Sequence, residues 1–230
     1  MTNLLLHYFL EKFNSSAKHL NEPGPVITIS RDNGCSGKLV AARVAELLNK
    51  NGENKKSKVE WKCINKEIIE ESAKELNLNP SKIKQFFNAE QKTIIDEMLL
   101  TFLESDFKND IKIKKTIAEV VLSFAYQGHN IIIGRGGVSL SQHFTNAIHV
   151  KLFASREWRA QKVKAKYHIT TEEARKQIIE IDKQRQAMID FFFKKKADNS
   201  IYDLIINSER YSVDEIAEII VNTMKLKKES

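Results

Sequence analysis

Gly37-Lys38 follows the β-branched run Val26 to Ile29 across the turn Asp32-Asn33-Gly34. A lysine placed there meets an anion together with the unpaired N–H groups of a helix that starts at Gly37. That is the chemistry of a phosphate cradle, with Asn33, Gly34, Cys35, Ser36, Gly37 and Lys38 as its candidate lining. Against the pattern G-x-x-x-x-G-K-[ST], Asp32 stands at the first glycine and Leu39 where the hydroxyl belongs. An ordinary strand, turn and helix with a surface lysine accounts for this turn equally well.

A second cation sits in a comparable place. Asn130-Ile131-Ile132-Ile133 reads as a buried parallel strand and runs directly into Gly134-Arg135-Gly136-Gly137. Ligands of open α/β sheets bind at the carboxyl ends of strands. A solvated turn explains the glycines but gives no reason for a guanidinium, whose planar fork suits phosphate oxygens. Farther on, Arg159 lies on a helix opened by Ala154-Ser155, and Asp182 and Arg185 share a face of the next helix at i, i+3. A pair of that kind is ordinarily surface decoration.

These side chains need a scaffold, and the hydrophobic pattern supplies one. Strands are predicted at Val26 to Ile29, Trp61 to Ile64, Asn130 to Ile133, Ala147 to Phe153 and Tyr202 to Asn207. Between them run helices: one beginning near Gly37 with Leu39, Val40, Val44, Leu47 and Leu48 on its apolar side, a long helical stretch from Lys66 to Gln127 broken at Asn77 to Ser81, and a charged helix over 170 to 190. Ser212 is placed to cap the last helix, Val213 to Met224. The alternation predicts a parallel sheet with helices on both faces. An amphipathic helix over residues 2 to 20 is expected to dock on the core or on another subunit. There is no internal repeat.

Composition narrows the function classes. The 230 residues are 42% hydrophobic and 29% charged, a globular balance that fits one domain. The formal charge of +7 favours anionic partners, but the lysines are scattered. The runs Lys194 to Lys196 and Lys225 to Lys228 are too short for a nucleic-acid arm and read as solvated surface. Nucleic acid is not expected as a partner, and nor is a membrane. Cys35 and Cys63 have no metal-type spacing and require no disulfide, so a cytoplasmic location is expected. The N-terminal LLLHYFL lacks a basic leader and a cleavage site and is not read as a signal. Cys35, next to a helix N-terminus, is expected to have a lowered pKa and to be open to oxidation or alkylation.

TISRDNGCSGKLVA at 28 to 41, NIIIGRGG at 130 to 137, VKLFASREWRAQKV at 150 to 163, and IDKQRQ with YDLIINSERYSVDEIAEII at 181 to 220 together resemble the cytidylate kinase-like family of P-loop nucleoside monophosphate kinases. The resemblance covers roughly residues 25 to 222. It implies a P-loop NTPase-like fold with a helical monophosphate-binding insertion at 61 to 127 and a lid at 156 to 198, in a domain at 23 to 230 preceded by a helical extension at 1 to 22. It also implies transfer of the ATP γ-phosphoryl group to CMP or dCMP with Mg²⁺, with Lys38 and its loop holding ATP, and with Arg135, Asp182 and Arg185 at the acceptor. Arg159 matches the arginine of the family's ASxxxRA helix, and the resemblance makes Lys38, Arg135, Arg159 and Arg185 the candidate catalytic residues. A non-catalytic nucleotide sensor is the alternative. The chain departs from the family pattern where Leu39 and Val40 lack a hydroxyl, where Ile133-Gly134-Arg135-Gly136 lacks the usual carboxylates, and where Ile178 replaces a lid arginine.

Overall fold

A computed structural model of the chain describes residues 24–50, 59–67 and 108–228. The expected helix at 2 to 20 and the break at 77 to 81 lie outside these residues. Among the described residues a parallel sheet of five strands carries the fold, in the order β2-β3-β1-β4-β5. The strands are β1 (Val26–Arg31), β2 (Lys62–Ile64), β3 (Asn130–Ile133), β4 (Ala147–Phe153) and β5 (Leu204–Asn207). β1 lies between β3, where Ile29 pairs with Ile133, and β4, where Arg31 pairs with Leu152.

Two strand readings need correction at the functional end. β1 runs on through Ser30 and Arg31, which the β-branched run does not include, because β4 continues alongside and keeps pairing with them. β5 begins at Leu204 rather than Tyr202, since Asn199–Ile201 forms a 3₁₀ turn whose carbonyl at Asn199 accepts the N–H of Tyr202.

The helices cover both faces, as a parallel sheet requires. On one face, α1 (Gly37–Lys50) and α6 (Val213–Lys228) pack Val40, Val44, Ile216 and Ile220 against Ile27, Ile29, Ile131, Ile148 and Val150. On the other, α2 (Lys108–Gln127) and the short α3 (Gly137–Leu140) bury Val121, Phe124 and Leu140 against Val26, Ile132 and Ala147. Each fully buried aliphatic side chain contributes about 1.5–3 kcal/mol of transfer free energy. α4 (Arg156–Tyr167) and α5 (Thr171–Phe193) form a hairpin with a small core of its own, Ala160, Val163, Ala174 and Ile178. The far end of α5 is fixed differently: Phe192 enters the main core, and the Ser139 hydroxyl donates to the Ile189 carbonyl at 2.9 Å.

Local chemistry starts these helices where the sequence places them. The Ser155 hydroxyl accepts the Trp158 N–H, and Thr170 with Glu173 forms a reciprocal capping box. Ser212 and Glu215 repeat that arrangement at α6. Lys227 departs from the solvated reading, because its ammonium donates to the Ala147 carbonyl at 2.7 Å and lies 3.3 Å from Asp203. No described helix is long and apolar enough to cross a membrane.

A buried histidine makes this fold acid-sensitive. The His149 ring is hydrogen-bonded to the Thr28 hydroxyl through Nδ1 at 2.8 Å, and its backbone N–H donates to Asp203. Burial pulls its pKa down to about 4, with Lys227 adding to the effect while Asp203 and the Ser141 backbone oppose it. The unfolded chain takes up this proton near pH 6.5 and the folded chain does so near pH 4. The stabilisation is therefore complete above pH 6.5 and is lost as pH falls towards 4, to the extent of roughly 3 kcal/mol. Urea unfolding at pH 7 and pH 4.5 should show this loss, and His149→Gln should flatten the difference. An equal pH dependence in the variant would assign the loss to other groups.

Candidate functional site

The chain leaves β1 and β3 in opposite directions, towards β2 on one side and β4 on the other, and the site forms at their carboxyl ends. After β1 the loop closes tightly: the N–H of Cys35 donates to the Asp32 carbonyl, and that of Gly37 to the Cys35 carbonyl. Asn33, Cys35 and Gly37 are buried, whereas Ser36, Lys38 and Leu39 are exposed. Lys38 is held by Glu67 at 2.9 Å, both side chains being more than half exposed. Exposed pairs of this kind contribute about 0–1 kcal/mol, so a phosphate can readily replace Glu67.

Beneath the loop lies an arginine with no exposed function. Arg159 is 7% exposed. Its guanidinium donates from Nη1 to the Asn33 carbonyl at 3.1 Å and to Asp182 at 2.6 Å, and from Nε to the Ala154 carbonyl. The other oxygen of Asp182 accepts the Asn33 N–H at 2.6 Å. Asp182 and Arg159 therefore grip both backbone groups of one loop residue. One turn along α5, Arg185 donates to the Arg31 carbonyl at 2.9 Å. The surface-decoration reading of Asp182 and Arg185 is corrected by these contacts, which join them to the loop rather than to each other.

The turn after β3 is tense. Gly134, Arg135 and Gly136 all have left-handed backbones, with φ of 72°, 54° and 70°. Glycine accepts this freely and arginine does not, so the flanking glycines let the chain present Arg135 there. A Cβ at Gly136 would also lie 2.2 Å from the Phe192 ring. The turn and α5 are therefore in direct contact.

Between them opens a cavity of about 430 Å³, lined by Ser30, Arg31, Lys66, Arg135, Gln184 and Arg185 and floored by Ile133, Ile181, Met188 and Ile189. Its cations are partly dehydrated: burial lowers the pKa of Arg135 and of Arg185. This set of charges fits an anion carrying several charges, such as a phosphate ester. Asp32, the residue after Arg31 in the loop, has its carboxyl raised above the usual range, first by burial and then by the charge of Asp182. It is 3.9 Å from Arg159.

The profile of the cytidylate kinase-like family matches residues 26–210. The chain belongs to that family. Cytidylate kinase-like membership makes it a kinase-like phosphotransferase in class and accounts for the parallel sheet flanked by helices. Among solved structures, an uncharacterized protein from Eubacterium ventriosum has a TM-score of 0.66 at 20% identity, over 88% of this chain and 98% of that one. That likeness concerns the fold. The shikimate kinase from Acinetobacter baumannii in complex with shikimate has a TM-score of 0.47 at 13% identity, over 90% and 96% of the two chains. The shikimate kinase from Bacteroides thetaiotaomicron has 0.47 at 11%, over 87% and 98%. Comparison with curated proteins gives no match in sequence.

In this cytidylate kinase-like chain, Arg135 and Arg185 line the cavity, Lys38 is paired with Glu67 and is not among the lining residues, and Arg159 and Asp182 hold Asn33 of the loop. Cys35 corrects the thiolate expectation. Burial pushes its thiol up to about 11, and the charge of Asp32 adds to this although that of Arg159 opposes it. Desolvation outweighs the helix N-terminus here. Arg31 and Asp32 do not figure among the sequence-predicted site residues. The signal for Arg31 is the same one that marks Arg135, an arginine at the carboxyl end of an inner strand, but read from β-branching the strand stops at Ile29.

Proposed function

We propose that the protein is a nucleoside monophosphate kinase-like phosphotransferase that moves the γ-phosphoryl group of ATP to CMP or dCMP with Mg²⁺. The observation that supports this reading is the cavity holding Arg31, Arg135 and Arg185, with the stem of Arg31 lying against Gly37 at the helix start. Phosphoryl transfer needs positioning and charge neutralisation more than covalent chemistry. Lys38 exchanges Glu67 for the β and γ phosphates, and the N–H groups of Gly34, Ser36 and Lys38 complete the donor cradle, those of Asn33, Cys35 and Gly37 being engaged by Asp182 and by loop carbonyls. Arg135 holds the acceptor phosphate. Arg185 reaches the same cavity from α5, and Arg159 with Asp182 keeps the loop in shape rather than touching ATP.

Mg²⁺ binds through one or two carboxylates and the substrate phosphates, retaining several waters. Asp32 fits such a role, because its partly buried carboxyl is already burdened by the neighbouring Asp182 charge, which a dication offsets. When bound, the ion supplies charge neutralisation between the phosphates. Residues 156 to 198 are the proposed lid and 61 to 127 the acceptor-side helical region, of which 68–107 lie outside the described residues.

The sensor reading keeps one observation in its favour: Leu39, 62% exposed, and Val40 stand where a P-loop hydroxyl serves the metal. A panel of nucleoside monophosphates with ATP and Mg²⁺, scored for diphosphate, separates the two. Diphosphate from CMP or dCMP supports the kinase; ATP binding with no diphosphate from any monophosphate supports the sensor. Lys38→Ala is expected to weaken ATP binding by about 1.5–3 kcal/mol, the worth of a charge-assisted contact. Calorimetry showing unchanged affinity would remove Lys38 from the cradle.

A further inference from the structure

Arg31 ends β1 and belongs neither to the loop motif nor to the glycine turn. Its aliphatic stem passes over the first residue of α1, where a Cβ on Gly37 would lie 3.2 Å from both its Cγ and its Cδ. Its guanidinium extends across to the neighbouring strand, where a Cβ on Gly134 would lie 2.1 Å from Nη1. The side chain thus spans from the donor-side helix start to the turn that presents Arg135. Both ends of its slot stay open because no side chain occupies them.

The backbone of Arg31 is pinned as well, through the bond from Arg185 to its carbonyl. Its guanidinium shares the cavity with Lys66, Arg135 and Arg185. Burial, then the charges of Arg185 and Arg135, lowers its pKa to about 10, with Glu67 opposing. Gathering like charges in a partly dehydrated place is unfavourable, and a polyanion laid across them offsets it.

Resting on the phosphotransferase reading, we infer that Arg31 is a further catalytic residue, a bridging arginine whose guanidinium contacts the phosphoryl group as it passes from donor to acceptor. In that step an oxygen of the acceptor phosphate forms a bond to the γ-phosphorus. The bond from γ-phosphorus to the β–γ bridging oxygen breaks, and its electron pair stays with ADP. A CMP dianion and an ATP tetra-anion become CDP and ADP trianions, so atoms and charge balance with no proton released. The equatorial oxygens of the moving group carry charge throughout, and a planar guanidinium between the two sites meets it.

The competing role is a strut that merely holds the loop. Arg31→Ala and Arg31→Lys, each checked by thermal melting, are compared with wild type for calorimetric binding of inorganic tripolyphosphate and for turnover. Arg31→Ala should bind tripolyphosphate roughly tenfold more weakly. Its kcat should fall roughly a hundredfold or more, beyond any rise in either KM, and added guanidinium should restore part of the turnover. Where alanine lowers the melting temperature, lysine, which keeps stem and charge but loses the fork, carries the same comparison. Unchanged tripolyphosphate affinity, absence of tripolyphosphate binding by wild type, or lost turnover that guanidinium does not restore in a normally melting variant overturns the assignment. If wild type makes no diphosphate from any monophosphate, the kinase reading fails while the tripolyphosphate comparison still decides the contact. If wild type and Arg31→Ala are equally active, the kinase reading stands and Arg31 falls.

Discussion

Arg159→Met is expected to destabilise the fold by about 3 kcal/mol and to abolish measurable ATP binding. The guanidinium is almost fully buried and donates to the Asn33 carbonyl, the Ala154 carbonyl and Asp182. Methionine fills much of the volume but removes the guanidinium donor from the Asn33 and Ala154 carbonyls, and the side chain of Asp182, 26% exposed, loses its partner charge while keeping the Asn33 N–H. The cost sits at the lower end of the range for broken buried pairs because water can reach that carboxylate. Loss of ATP binding has a separate cause, since the loop that must aim its N–H groups at phosphate loses one of its backbone anchors. The double variant Arg159→Met, Asp182→Leu should recover part of the melting temperature, as no charge is then left uncompensated, without recovering ATP binding. ATP calorimetry giving wild-type affinity in the single variant would mean that the loop holds its shape unaided.

Arg135→Lys separates acceptor from donor. Lysine keeps the charge and loses the bidentate fork, so the acceptor phosphate is held but misplaced, and a displacement of about 1 Å can lower turnover on the order of a hundredfold. The acceptor KM should rise while ATP affinity stays nearly level. The left-handed backbone at this residue is unchanged by the substitution, because both side chains carry the same Cβ constraint. Stability should therefore hold, which the melting temperature checks. A parallel loss of ATP affinity would place Arg135 on the donor side.

Much of the fold was legible because it rests on local chemistry. Buried parallel strands must be apolar on both faces, and β3 and β4 are found at the bounds their aliphatic runs predict. Ser155 and Ser212 begin their helices because a hydroxyl satisfies a free N–H wherever the chain leads. The site was legible in part. Arg135 could be singled out by its placement and Arg185 only by the family resemblance, and the two line one cavity. The partnership of Asn33 with Arg159 and Asp182 is made over sequence separations that carry no periodic signal. The same holds for Arg31, whose strand persists because β4 pairs with it, a tertiary cause that β-propensity does not register. Cys35 was misjudged for a related reason, since a helix terminus is visible in a sequence and the degree of burial is not.

The hydrogen bonds from α5 to the loop after β1 carry a thermodynamic obligation. Asp182 holds the Asn33 N–H and Arg185 holds the Arg31 carbonyl, so the helix walling one side of the cavity and the segment at the end of β1 are a single mechanical piece. A ligand that draws Arg185 away from that carbonyl on one side alters the loop that the other ligand must find. By reciprocity, whatever factor ATP imposes on acceptor affinity the acceptor must impose on ATP, equal in size and sign. On the proposed kinase reading, ATP and CMP are therefore expected to change each other's affinity by one common factor, which calorimetry of each ligand with and without the other checks.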